Sequence, residues 1–62
     1  MTHKFKDDRM YKKTLAELRE HGESRANDIC REIRFASIEG IFDNFYRAMA
    51  HAVEDAGFRY LI

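Results

Sequence analysis

From Ser37 onward the apolar residues of this chain recur at helical spacing. Ile38, Ile41, Phe42, Phe45, Met49, Ala52, Val53 and Ala56 follow the i, i+3, i+4, i+7 rule, which puts them on one side of a helix turning about 100° per residue. With Tyr46 and Ala48 on its flanks, the apolar arc covers roughly 160°, wider than the ~100° stripe that a surface helix needs to meet one partner. Glu39, Asp43, Arg47 and Glu54 occupy the far side. Ser37 stands where an N-cap is wanted, and Gly57 where a left-handed residue ends a helix, with Phe58 placed to fold back on Val53. The pattern predicts a helix over residues 37–56.

The first half carries a narrower stripe. Tyr11, Leu15, Leu18, Gly22, Ala26, Ile29, Cys30 and Ile33 lie within about 60° of one direction if the helix is continuous. The His21-Gly22-Glu23-Ser24 stretch reads locally as a turn capped by Ser24, but a break there would rarely preserve the phase of the stripe. The phase predicts one helix over residues 8–34, with Gly22 inside the stripe, where the missing side chain lets another helix approach. A tight corner at Phe35-Ala36-Ser37 then joins the two arms.

The expected architecture is therefore an all-α helical hairpin. At 1.5 Å per residue its arms are about 40 Å and about 30 Å long, so the first overhangs the second around Tyr11 and Leu15. A wide arc facing one narrow stripe leaves apolar surface over, and a chain this short gains little net stability from its own core. A homodimeric four-helix bundle is the simplest closed solution. The expected interaction and dimer surface comprises Tyr11, Leu15, Leu18, Ile38, Phe42, Phe45, Tyr46, Met49 and Val53.

Composition narrows the class further. Sixty-two residues allow one domain, and Cys30 is the only cysteine, which excludes an internal disulfide and suits a reducing compartment. No stretch approaches the roughly 18 apolar residues of a membrane span, and the N-terminus lacks a signal-type apolar segment. The expectation is a soluble, cytoplasmic protein. Eleven Lys and Arg balance eleven Asp and Glu, which removes the overall basic excess of nonspecific nucleic-acid binders. The one local imbalance is the mildly basic arm at residues 1–7.

Candidate chemistry is sparse. His3, His21, His51 and Cys30 do not form the short-spaced pairs of structural zinc sites, so no metal or cofactor is expected. Cys30 falls on the apolar stripe, where a cysteine packs rather than attacks. The acidic residues are dispersed along the chain without the convergent pair that acid–base hydrolysis requires. No glycine-rich phosphate loop occurs. The chain is read as a non-enzyme. Asp7 and Asp8 suit a helix N-terminus, whereas Glu54-Asp55 sits at the unfavourable end of the second helix. The tail Phe58-Arg59-Tyr60-Leu61-Ile62 is nearly all apolar and is read as a lid over the open end of the hairpin, with docking on another protein as the alternative.

Two resemblances bear on function. Over LAELREHGESRANDICREIR, with its helix, glycine turn, Ser24 and the core positions Ile29 and Ile33, the chain resembles the helical part of ribbon-helix-helix DNA-binding proteins. That resemblance implies a strand at Thr2-His3-Lys4-Phe5-Lys6, paired with a second chain and entering the major groove with Thr2, Lys4 and Lys6. It departs from the family in its zero net charge, in the poor match of the apolar positions in the first helix and in the extra apolar helix that follows. The overall style of THKFKDDRMYKKTLAELREHGESRANDICREIR is similar to the small helical accessory proteins that lambdoid bacteriophages express early in infection. This second resemblance implies a non-enzymatic modulator that binds a host or phage protein in the bacterial cytoplasm. The ribbon-helix-helix reading, a transcriptional regulator using residues 2–6, is the alternative.

Overall fold

The structure is a computed structural model, and residues 8–59 are described. Three helices follow in chain order: α1, Arg9–His21; α2, Glu23–Glu39; and α3, Asn44–Asp55. No strand occurs among the described residues. The all-helical expectation holds, but the hairpin gives way to a three-helix arrangement.

The first correction is at Gly22. Asp8 opens α1, its side chain accepting from the Met10 N–H at 2.8 Å. At the other end Gly22 has φ 66° and ψ −140°, a backbone region left almost entirely to glycine. Its N–H still donates to the Leu18 carbonyl at 2.7 Å, and its carbonyl accepts from Ala26 at 3.1 Å. One residue therefore closes α1 and opens α2, and the chain bends without a loop. This conformation is what requires glycine there. Nothing lies within 4 Å of where a Cβ would stand, so close helix approach is not the reason. Across the bend the Arg25 Nε lies 2.7 Å from Glu17 Oε1, tying α1 to α2. With the helix broken at Gly22, α1 packs against α3, the predicted overhang disappears and Tyr11 is buried.

The second correction is the position of the corner. Residues 35–37, expected to turn, lie inside α2, which continues to Glu39. Gly40, at φ 78° and ψ 12°, ends it in the left-handed conformation. The Ile41 N–H donates to Ala36 O at 2.7 Å and the Gly40 N–H to Ser37 O at 3.2 Å, the two bonds of a Schellman motif. Asp43, not Ser37, caps the last helix: its carboxylate accepts from the N–H groups of Phe45 at 3.1 Å and Tyr46 at 3.4 Å. The far end of α3 closes as the sequence predicts. Gly57 has φ 91°, and the Phe58 N–H donates to Val53 O at 3.1 Å.

All three helices pack on one another, most extensively α1 with α3. The molecule measures 28 × 28 × 15 Å between Cα atoms. Its short dimension fits two helix layers, since an interaxial distance of about 9 Å plus two backbone radii of about 2.3 Å comes to roughly 14 Å. α3 rests against both α1 and α2. Its buried residues, Ala48, Met49, Ala50, Ala52 and Val53, span roughly 200° of its circumference at 100° per residue. Two partner helices within the same chain explain a wide apolar arc without a second molecule. Tyr11 and Leu18 of α1 and Ala26, Ile29 and Ile33 of α2 complete the core, with Leu15, Cys30, Tyr46, Ala56 and Phe58 packed at its edge. Thr14, which the sequence pattern did not mark as a core position, is also buried.

Candidate functional site

The surplus of apolar surface is real, but it lies elsewhere than the helical periodicity indicates. Of the expected interaction surface, Leu18, Met49 and Val53 are enclosed by the chain itself. Tyr11 is buried too, and Leu15 and Tyr46 are half-buried against the core. These six leave little to offer a partner, because their apolar area is already spent inside the fold. Ile38, Phe42 and Phe45 remain at the surface, 74%, 37% and 39% exposed. Phe35 at 66% and Ile41 at 54% join them.

The five belong to one corner of the molecule: the last turns of α2, the linker, and the first turn of α3. The local cause is the position of the helix ends. If residues 37–56 formed one helix, Ile38, Ile41 and Phe42 would share the inner face with Met49 and Val53. Termination at Gly40 and restarting at Asp43 takes them out of that register. Ile38 stays on α2, on a different face from the buried Ala26, Ile29, Ile33 and Ala36. Ile41 and Phe42 fall in the linker. Phe45 reaches the first turn of α3, where its ring meets that of Tyr46 edge to face, with centroids 5.1 Å apart at 89°.

Phe35 could have been identified from the sequence, since it lies outside the buried stripe of any helix that contains Ile29 and Ile33. Assigning it to a turn concealed that. The corner is edged by both signs of charge: Arg34, Glu39, Asp43 and Arg47 are all exposed. Such a surface can exclude water against a second apolar surface and align it through charges. It offers no reacting group.

Other candidate positions resolve plainly. Cys30 is half-buried beside the core. His21 and His51 each approach a glutamate at 4.0 Å, Glu20 and Glu54. Among the described residues no group of three or more His, Cys, Asp or Glu side chains is arranged to hold a metal, and no helix is long and apolar enough to cross a membrane. Thr2, Lys4 and Lys6, the alternative DNA-contacting residues, lie outside the described residues, as do Asp7 and Tyr60 to Ile62 of the expected lid. Phe58, the first residue of that tail, packs on the core.

A part-buried polar contact joins two helices. The Tyr11 hydroxyl donates to Asp55 Oδ2 at 2.6 Å. The hydrogen bond to Asp55, then burial, then the Asp55 charge raise the Tyr11 pKa, against an opposing pull from Arg19. This gives Asp55, so poorly placed for the dipole of α3, a structural role.

No protein-family model, curated protein or solved structure matches the chain. Its class rests on the fold and surface alone: a three-helix all-α domain with one apolar corner.

Proposed function

We propose that this chain is a small non-enzymatic interaction protein whose working surface is the apolar corner at Phe35, Ile38, Ile41, Phe42 and Phe45, and that the first occupant of that corner is a second copy of the chain. The observation that supports it is the concentration of every large exposed apolar side chain of the described residues within this one stretch. Taking about 200 Å² for a large side chain, the five fractional exposures amount to on the order of 500 Å². A standard interface takes about 800 Å² from each partner. An apolar centre of that size with a polar rim fits a symmetric dimer, in which each patch meets its own copy. The rim suits the same symmetry: Arg34 and Arg47 are matched in number by Glu39 and Asp43, so two identical rims can oppose unlike charges.

The assembly is then a helical homodimer whose contact is made by the α2–α3 corner. It differs from a bundle formed by a wide stripe along the whole last helix, because that stripe is consumed inside the chain. The biological setting this reading favours is that of early regulatory or accessory proteins of bacteriophages, acting in the bacterial cytoplasm by binding a host or phage protein. Its support is the small helical chain, its balanced charge and a surface suited to docking rather than chemistry.

Analytical ultracentrifugation at micromolar concentration tests the assembly. A dimer for the native chain and a folded monomer for Ile38→Asp or Phe42→Asp are the expected outcomes. A native chain that sediments as a monomer overturns self-association.

The ribbon-helix-helix-like reading keeps one favouring observation: the chain does turn between two helices at Gly22, and Ile29 and Ile33 are core positions. It predicts salt-dependent duplex binding that Lys4→Ala and Lys6→Ala abolish. A gel shift at low salt separates the two readings.

A further inference from the structure

The apolar corner continues into a charged strip along the outward face of α2. Asp28, Arg31, Phe35 and Ile38 alternate three and four apart, the spacing that holds residues on one narrow seam where a helix meets a second helix. Glu32 flanks the seam, one position after Arg31. All five side chains are exposed. The buried residues of the same helix, Ala26, Ile29, Ile33 and Ala36, lie on its opposite side. The seam is therefore charged at one end and apolar at the other, and the whole of it faces away from the chain's own core.

The corner supplies on the order of 500 Å² of apolar surface, against about 800 Å² from each side of a standard interface. The remainder has to come from adjoining surface, and the seam is the adjoining surface on which one helix can lie along another.

The polarity of the seam decides the direction of the two helices. In an antiparallel pair that lays Phe35 on Ile38, Arg31 and Asp28 come opposite the linker, where Ile41 and Phe42 stand, so charge is set against apolar side chains. In a parallel pair each seam residue lies beside its own counterpart. Phe35 and Ile38 then meet Phe35 and Ile38, and both linkers arrive at the same end, so that Ile41, Phe42 and Phe45 of the two copies extend one apolar centre. At the charged end, a side chain at position 31 of a parallel pair enters a hole on the facing helix. The seam spacing puts Asp28 and Glu32 of the partner subunit at corners of that hole. Arg31 thus lies between two carboxylates, which offsets the repulsion between the two Asp28 side chains.

Resting on the self-association proposed above, we propose that the two copies align α2 with α2 in parallel, with Arg31 of each reaching Asp28 and Glu32 of the partner subunit. The apolar corner then supplies the attraction, and these three charged residues select the partner and its direction.

The test is sedimentation equilibrium at low salt with charge-reversed chains, each checked as folded by circular dichroism. Arg31→Glu sets a third carboxylate beside the partner's two and should weaken the dimer at least about fivefold. The Asp28→Lys, Glu32→Lys double variant should weaken it likewise. An equimolar mixture of the two variants restores opposite charges across the seam and should dimerise at least as tightly as the native chain, with the differences shrinking at 1 M salt as screening shortens to about 3 Å. Orientation is read separately from a spin label at Ser24→Cys in a Cys30→Ser background. A parallel pair keeps the two labels within about 20 Å, since packed helix axes lie about 9 Å apart. An antiparallel pair centred between Phe35 and Ile38 separates them by about 37 Å, at 1.5 Å per residue.

A native dimer whose affinity is unchanged by Arg31→Glu, or whose labels lie about 37 Å apart, overturns the parallel alignment and leaves the corner as the contact. A native chain that sediments as a monomer overturns both.

Discussion

The hydroxyl of Tyr11 and the carboxylate of Asp55, 44 positions apart in the chain, are joined at 2.6 Å. This bond ties the start of α1 to the end of α3 and closes the helix pair with the most extensive contact. Tyr11→Phe keeps the ring in the core and deletes only the donor, so a loss of about 1–2 kcal/mol is expected in urea unfolding near neutral pH.

The same bond makes a prediction at alkaline pH. The Tyr11 pKa in the fold is raised above that of free tyrosine, about 10. A folded state that holds its proton more tightly than the unfolded chain loses that advantage only as both forms deprotonate. The Tyr11 contribution is therefore fully present below pH about 10 and is lost as pH rises through the higher folded value. Measured as the stability gap between the native chain and Tyr11→Phe, it should be flat up to about pH 9 and then shrink. A gap that widens above pH 10 would show that the bond strengthens on ionisation, contrary to the geometry.

Gly22 offers the sharpest test of the fold. Its φ of 66° with ψ of −140° is a conformation that an L side chain adopts only at a cost of about 1–3 kcal/mol. Gly22→Ala should therefore destabilise by that amount, although alanine is the better helix former and the space around it is empty. Had α1 and α2 formed one straight helix, the same substitution would stabilise by about 1 kcal/mol. The sign of the change in the urea midpoint decides. Loss of the Glu17–Arg25 ion pair across the bend, by Arg25→Gln, should cost under about 1 kcal/mol, since both side chains are about 30% exposed.

The corner between α2 and α3 separates two candidate caps. Asp43→Ala removes the acceptor for the Phe45 and Tyr46 N–H groups and should cost about 1 kcal/mol. Ser37→Ala, in the exposed interior of α2, should stay within about 0.5 kcal/mol of native. Equal losses at both positions would place the helix start back at Ser37.

These two sites also show what the sequence could and could not reveal. Helical content, the closing turn at Gly57 and Phe58, the Asp8 end of α1 and the inward positions of Ile29 and Ile33 follow from local chemistry and 3.6-residue spacing, whereas the same spacing puts Leu18, Met49 and Val53 on an apolar face without showing that their own chain, and not a second copy, encloses them. The two helix breaks do not follow from spacing. Leu18 and Ala26 keep their phase across Gly22, and Ile38 and Phe42 keep theirs with Met49, so periodicity alone favours continuous helices. The competing signal was nonetheless present: Gly40 followed three residues later by Asp43 is a helix stop and then a helix start. The apolar corner was legible only in part, because its membership depends on which side of that stop each residue falls. Ile38, Phe42 and Phe45 were found by an arc that the fold does not form, and Phe35 was missed.

The apolar corner should behave differently from the core under substitution, and that difference bears on self-association. Val53→Ala removes methyl groups from a fully buried position and should cost about 1–3 kcal/mol at any protein concentration. Ile38→Asp changes a side chain that is 74% exposed, so the isolated fold should lose little. If two copies bury Ile38 against each other, however, dimerisation stabilises the native state by mass action. The Tm of the native chain should then rise with protein concentration. That of Ile38→Asp should not change with concentration and should lie below the native value at the high end of the series, with the two converging on dilution. A native Tm independent of concentration over about a hundredfold range, with a dimer still present in solution throughout, cannot be reconciled with mass action. A native Tm independent of concentration in a chain that stays monomeric would show instead that the corner does not join two copies.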